Sequence, residues 1–410
     1  MSRIAILAGP YRVDDQLGGI GLRLWELGQA LADAGHQVVV VAPYASDFTH
    51  PGVRLTTDAS EAVAQANAVL STDLPDTGLL LAAHRQGKLL IAENAPPIEH
   101  LHFDALAGQR GPALYADTVA RWRLQLLLAD HLLVRSEAER TSTLGALVAL
   151  GRMGRVHHRS DPGLGHLVSL VPIGFNRHSA LAAAQARTDP NARCDVLWNG
   201  GVWDYCHPAP VLAALADAAA QGVALTLRLL YDPGPERSAE LRQLADRYGV
   251  ADQVLWPSGT VPHRQRDAWV KAARALVITG QVTAENLTCH RLRLRDAALY
   301  RLPVVLDAHG ATGDLVSALR IGPVADPGDP AALAHALICA SRDGEPRASY
   351  LSALDGARPR FVLERHLGPL LKLLDEDRPA PDRDSPDLRR AVESALAAHP
   401  ALTEAPPAVI

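Results

Sequence analysis

Cysteine is scarce. The 410 residues hold four, Cys194, Cys206, Cys289 and Cys339, far apart and with no C-x-x-C pair. That argues against a disulfide scaffold and a cysteine-built zinc site, and it fits reduced thiols in a cytoplasmic protein. Long apolar runs are also missing. No stretch of about 18 uncharged apolar residues occurs, so no transmembrane span is expected. The opening MSRIAILAGP is too short an apolar run for a signal peptide. There is no basic block. Lys and Arg total 40 against 45 Asp and Glu, for a net charge of -5, and nothing argues for nucleic-acid binding. Metal motifs are lacking too. The D-x-D patterns, Asp375-Glu376-Asp377 and Asp382-Arg383-Asp384, lie near the C-terminus rather than at a strand end, and no H-x-x-x-H pair sits on a helix.

What is present is an alternation of short apolar runs and amphipathic stretches, over a length that suits two domains. Arg3 to Ala8 reads as a buried strand. Gly18, Gly19 and Gly21 follow in a loop. Ile20, Leu24, Leu27 and Leu31 share one helical face, and Val38 to Ala42 is the next strand. Strand, glycine loop, helix and strand make a βαβ unit and call for a parallel sheet. Further strands are expected at Val53 to Leu55, Ala68 to Leu70, Leu89 to Ala92, His131 to Val134 and Leu167 to Val171. Gly151 to Gly165 reads as a loop and Phe175 to Arg193 as a linker. A second series of strands and helices starts at Cys194. The expected fold class is α/β, with two consecutive parallel-sheet halves. The polar, Pro-rich stretch from Asp377 to Ile410 reads as a mobile tail with a short helix at Leu388 to Ala397.

Four stretches carry candidate chemistry. Gly18-Gly19-Ile20-Gly21 precedes a helix, where backbone amides favour an anion by about 0.3–1 kcal/mol; the alternative is a tight turn. These glycines arrive too late after the first strand for a nicotinamide-binding loop. Trp198 to Tyr205, WNGGVWDY, places Gly200 and Gly201 at a strand end, where α/β sheets bind ligands. Trp203 and Tyr205 there line a base or a sugar, or Trp203 is a core residue. Glu93, Glu99 and His100 follow another strand end and are candidates to orient an acceptor or act as a base; the alternative is surface loop residues. The fourth stretch, Ala284 to Leu306, holds Glu285, Arg291, Arg293, Arg295 and Asp296. Guanidinium forks suit a diphosphate, and Arg291 and Arg293 are the better placed. Asp296 falls on the apolar stripe of Leu292 and Leu299. It is either a structural ion pair with Arg293 or Arg295, or a ligand contact in a cleft.

These residues resemble the retaining nucleotide-sugar glycosyltransferases of the GT-B type, close to family 4. The glycine loop, its helix and GHQVVVVAP are similar to the family's first βαβ unit, and VPIGF (Val171 to Phe175) to the end of its first domain. A bacterial branch carries W-x-G-G-x-W-D-x-x-x-P, matched by Trp198 to Pro208. It also carries E-x5-R-x-R-x2-D-x6-P, matched by Glu285, Arg291, Arg293, Asp296 and Pro303, and a helix start like Arg135 to Arg140. The resemblance implies two Rossmann-like domains facing a cleft. They would be an acceptor-binding domain over 1–178, a linker over 179–192, and a nucleotide-sugar domain over 193–358. A helix over 359–376 would return to the first domain, and a flexible tail would span 377–410. It implies Asp296 on the nucleotide ribose. The family's earlier acid would stand at Thr288, and Glu285, one helical turn before it, is expected to replace it.

The implied activity is metal-independent sugar transfer with retention, from a GDP- or UDP-sugar to a small-molecule acceptor through O, N or S, in antibiotic biosynthesis. No other cofactor is implied. Glu285, Glu93 and His100 are the catalytic candidates. Gly18, Gly19, Gly200, Gly201, Trp203, Arg291, Arg293 and Asp296 are the nucleotide-sugar contacts. A lipid-linked or polysaccharide acceptor, a nucleotide-sugar epimerase and a non-catalytic sugar-nucleotide binder remain alternatives. The partner list leaves room for a homodimer.

Overall fold

The structure is a computed structural model and describes residues 1–72, 76–93, 111–203, 205–257, 259 and 261–403. The chain divides into two compact units. One is Met1–Pro172 together with the chain from Leu363 onward, and the other is Ile173–Val362.

The first unit is built on a parallel sheet. Its strands in chain order are β1 (Arg3–Leu7), β2 (Gln37–Val41), β3 (Val53–Thr56), β4 (Ala68–Thr72), β5 (Leu89–Glu93), β6 (His131–Val134) and β7 (Val168–Leu170). They lie in the order β3-β2-β1-β4-β5-β6-β7, with Ile4 of β1 registered against Val38 on one side and Ala68 on the other. Runs such as IAIL are apolar on both faces, as strands covered on both sides by helices require. The helices between them begin where short polar side chains accept a backbone N–H. Asp58, Asp76 and Ser136 cap the helices Ala59–Gln65, Thr77–Arg85 and Glu137–Ala149.

The second unit carries β8 (Cys194–Trp198), β9 (Leu227–Leu229), β10 (Val254–Leu255), β11 (Ala273–Ile278), β12 (Val304–Asp307) and β13 (Val324–Ala325). Their order is β10-β9-β8-β11-β12-β13, again with parallel pairings. Trp198 is fully buried in the core on one side of this sheet, with Val196, Val211, Leu215 and Val277. The two-residue β13 has no sequence pattern of its own.

Three stretches differ from the sequence expectation. Within Gly151–Gly165 the chain forms a helix, Arg155–Ser160. The expected linker holds a helix, Arg177–Gln185, capped by Asn176 through the Ser179 N–H at 2.8 Å. Lys271 Nζ ties this helix's end to the same unit by donating to Ala183 O and Ala186 O at 2.8 and 2.6 Å. The third is the expected tail. Just before it, in the stretch expected to return to the first domain, Leu363, Leu367, Leu370 and Leu374 enter the core of the first unit with Ile4 and Ile6. Beyond them, Asp382 is ion-paired with Arg152 at 2.7 Å and Arg383 with Asp130 at 2.7 Å. The helix Pro386–Ala398 then buries Leu388 and Ala395 against Leu127. Polar composition hid the anchors at Asp382 and Arg383 because they are ion pairs rather than an apolar stripe. No helix among the described residues is long and apolar enough to cross a membrane.

Candidate functional site

In an open parallel sheet the ligand crevice opens at the carboxyl ends of the two strands where the order reverses. In the second unit these strands are β8 and β11. Asn199-Gly200-Gly201 follows β8, and Thr279-Gly280 follows β11. The two loops are bonded to each other. His207 N donates to Thr279 O at 3.0 Å, Thr279 Oγ1 to His207 O at 2.6 Å, and Gln281 N to Tyr205 O at 3.1 Å. Asn286 Nδ2 donates to Tyr205 O and Gln281 O at 3.0 and 2.8 Å.

The candidate arginines separate sharply here. Arg291 is structural. Its Nη2 pairs with Asp307 at 2.9 Å, its Nη1 donates to Ile278 O at 3.0 Å and its Nε to Asn286 Oδ1 at 3.0 Å. Asp307 in turn accepts the Gly280 N–H at 2.9 Å. Burial raises the Asp307 carboxyl above its usual range, against the pull of Arg291 and the Gly280 amide. Arg291 therefore holds the ends of β11 and β12 together, with each of its three nitrogens engaged inside the unit.

Arg293 is different. Its side chain lies across Gly200, with Cδ only 2.1 Å from where a Cβ on that residue would stand, so glycine is required for this approach. The guanidinium stacks over the Trp198 ring at 4.9 Å, and Nη2 donates to Cys206 Sγ at 3.3 Å. Nη1 is buried and has no partner among the described residues. Trp203 packs its ring against Gly201 and is 55% exposed, so it is not the core tryptophan, a place that Trp198 fills.

Asp296 has no exposed surface. Its partner is Arg266, not Arg293. Arg266 engages both carboxylate oxygens, Arg295 Nη1 lies 3.4 Å from Oδ1, and Asn199 Nδ2 donates to Oδ2 at 2.6 Å. Arg266 also meets the hydroxyls of Tyr231 and Tyr300 at 3.1 and 3.4 Å. Burial opposes the charge on Arg266, yet Asp296 and the two tyrosines hold its pKa well above the usual arginine value. Burial likewise pushes the Tyr300 hydroxyl well up. The carboxylate expected on a ribose is thus occupied inside the unit. Glu285 is buried in the first turn of the helix Ala284–Thr288, which Thr283 caps through Asn286 N at 3.3 Å. Thr288 turns its hydroxyl back to Ala284 O at 2.9 Å.

In the first unit the order reverses at β1 and β4. Gly18 caps the helix Gly19–Asp33 without a side chain, leaving the first-turn amides to whatever lies before them. Gly21 is pinned by packing, since a Cβ there would stand 2.0 Å from Arg12 O. Glu93 ends β5 and forms a buried ion pair with Arg23, which also donates to Val171 O and Pro172 O at 2.7 and 2.9 Å. One Glu93 oxygen is therefore committed to Arg23, while Oε2 is buried without a partner among the described residues. That pairing was not anticipated and argues against Glu93 as a base. Glu99 and His100 lie outside the described residues.

Sequence reasoning missed Arg266 and Asn199. Arg266 lies 30 residues from its partner, in no motif. Asn199 was in view as the second residue of WNGG, but its role shows only in the bonds it makes.

Neither a protein-family model nor a curated protein matches the sequence. Solved structures do. Sucrose-phosphate synthase from Thermosynechococcus elongatus superposes with a TM-score of 0.59 at 18% identity, over 92% of this chain and 99% of that one. Anabaena HepE in complex with UDP-glucose gives 0.60 at 17%, over 92% and 100%. WaaG, a glycosyltransferase involved in lipopolysaccharide biosynthesis, gives 0.58 at 14%, over 91% and 99%. The fold is GT-B. At these identities the likeness establishes the fold and nothing finer.

Proposed function

We propose that the protein is a glycosyltransferase that takes a nucleotide-diphosphate sugar at the carboxyl edge of β8 and β11. The observation that carries this is Arg293, a guanidinium laid on a glycine at the switch point with a buried, unmet N–H. A diphosphate oxygen satisfies that donor, and a charge-assisted bond there stabilises the departing nucleotide. The described neighbours of this fold support the donor class, since HepE was solved with UDP-glucose. UDP is the first nucleotide to try and GDP the second. Trp203, exposed beside Gly201, offers a face for the base or the sugar.

The finer reading is transfer with retention and without a metal, to a small-molecule acceptor in natural-product biosynthesis. Glu285 stands in it as the acid one turn before Thr288. Gly18 and Gly19, at a helix start without a side-chain cap, stand in it as nucleotide-sugar contacts, and His100, outside the described residues, as a catalytic candidate. A second reading, sugar-nucleotide binding without transfer, is favoured by one observation: Asp296 and Glu93 are both committed to buried arginines.

A thermal-shift screen of UDP-, GDP-, ADP- and dTDP-sugars tests the donor. Failure of all of them to stabilise the protein overturns the proposal. Turnover with an acceptor panel then separates transfer from binding alone, and isomerisation without any acceptor identifies an epimerase.

A further inference from the structure

We infer that Asn199 reads a hydroxyl group of the bound nucleotide sugar, with Oδ1 as the acceptor; this rests on the donor class proposed above. The orientation of the amide is fixed by its surroundings. Nδ2 faces two acceptors, Asp296 Oδ2 at 2.6 Å and Arg293 O at 3.2 Å. A flipped amide would set Oδ1 against both, so Oδ1 must be the atom turned away from them. Asn199 is only 2% exposed, and Oδ1 accepts from nothing among the described residues. Buried polar atoms are nearly always bonded, and those left over call for a partner that arrives from outside.

The position of this acceptor names the partner. Asn199 is the first residue beyond β8, and the next residue, Gly200, is the one that Arg293 lies across. Arg293 Nη1 is a donor unmet among the described residues. An unmet acceptor and an unmet cationic donor therefore stand on bonded neighbours at one switch point. A simple anion satisfies only the guanidinium, and a neutral sugar satisfies the amide while leaving the charge unmet. A nucleotide-diphosphate sugar carries phosphate oxygens and hydroxyls within a few bonds of each other and meets both. Asp296 cannot take the hydroxyl itself, because Arg266 and Arg295 engage its oxygens in the interior. What the buried pair does instead is hold Asn199: Asp296 fixes the amide's donor side, which leaves the acceptor side free. Asn199 is thus a specificity residue, and Arg266 and Asp296 are positioning residues behind it.

The test is calorimetric titration of the wild-type protein with the nucleotide sugar that the thermal screen selects, and with analogues each lacking one ribose or one sugar hydroxyl. One analogue is expected to bind at least tenfold more weakly than its parent, since a site built around a hydroxyl leaves its own polar atom unmet when that group is missing. Which analogue it is tells whether the ribose or the sugar is read. In Asn199→Ala the parent is expected to fall to the affinity of that analogue, and the two to become equal. Analogues that all bind wild type within twofold of the parent overturn the inference, and this arm stands even if the variant does not fold. A deoxy penalty that persists in full in Asn199→Ala also overturns it. Absence of binding by every nucleotide sugar overturns the donor class itself, whereas binding without hydroxyl discrimination overturns only the role of Asn199.

Discussion

Arg266 and Asp296 form an ion pair with the carboxylate completely buried, although 30 residues separate them in the chain. Two charges taken out of water are tolerated because the remaining valences are met by Asn199, Tyr231 and Tyr300. Removing one partner strands the other. Arg266→Met is expected to cost about 3–5 kcal/mol of stability, read as a lowered urea midpoint. Adding Asp296→Leu to it is expected to restore part of that loss. A double variant no better than the single one would show that the buried charge is not the source of the cost.

Arg291 and Arg293 look equivalent in the sequence, but the structure predicts opposite phenotypes. Arg291→Gln breaks a buried pair with Asp307 and is expected to lower stability by about 3–5 kcal/mol. Arg293→Gln breaks no ion pair among the described residues. It is expected to weaken nucleotide-sugar binding by about tenfold to a hundredfold, the range of a hydrogen bond to a charged group, with the melting temperature nearly unchanged. Denaturation and calorimetry on both variants check this. Equal loss of stability in the two would remove Arg293 from the binding site.

Gly200→Ala places a methyl group where the Arg293 side chain now runs. That chain is flexible and can swing aside, so the fold is expected to survive while the guanidinium leaves the switch point. The expected result is the binding defect of Arg293→Gln at near wild-type stability. Combining the two substitutions is expected to add little, because both remove the same contact.

Much of the fold was legible in the sequence because both sheets are covered on both faces, so their strands read as short apolar runs. The two βαβ series follow from that alone, whereas the units divide between Pro172 and Ile173 rather than near Cys194, since the stretch before Cys194 folds as the helix Arg177–Gln185 of the second unit. The glycines at Gly200 and Gly201 and the arginine at Arg293 were legible too, as a loop after a strand and a cation near it. What stayed hidden were pairings across sequence distance. Of the two neighbours that local spacing offers Asp296, Arg295 does pair with it at 3.4 Å, but Arg266, which engages both oxygens, comes from another helix. Glu93 was read as a strand-end acid because nothing near it in the sequence announces Arg23. The anchored C-terminal segment read as a tail for the same reason, since Asp382 and Arg383 find their partners 230 and 253 residues away.

His131 gives the first unit a pH dependence of definite sign. Its Nδ1 donates to His166 O at 2.8 Å and its Nε2 accepts from Ser169 Oγ at 2.7 Å, which suits the neutral ring. Burial lowers its pKa to about 4, from 6.5 for an open histidine. Between those values the unfolded chain binds a proton that the folded one refuses. The stabilisation is complete above pH 6.5 and is lost as the pH falls toward 4, by about 3 kcal/mol in all. His36 and His84, also lowered by burial, share the sign. Urea denaturation from pH 7.5 to 4.5 is expected to show falling stability, and His131→Gln a shallower fall. A slope unchanged by the substitution would contradict the assignment.

Asp382 is the point on which the C-terminal segment is fastened to the first unit. Burial pushes its pKa up, but the approach of His157 Nε2 at 3.1 Å and the hydrogen bonds from Arg152 more than offset this and leave it well below the carboxylate range. With the folded pKa depressed, its contribution is present above about pH 4 and disappears as the pH falls further. Asp382→Ala leaves Arg152 buried with only the carbonyls of Leu126 and Ala129, at 2.7 and 2.6 Å. The expected cost is about 3–5 kcal/mol at neutral pH. Because Arg383 still holds Asp130, the segment is expected to open locally rather than leave. Limited proteolysis should then cut between the helices Gly368–Glu376 and Pro386–Ala398 in the variant well before wild type is cut there. Equal cleavage of the two proteins at that site would mean that Asp382 does not fasten the segment.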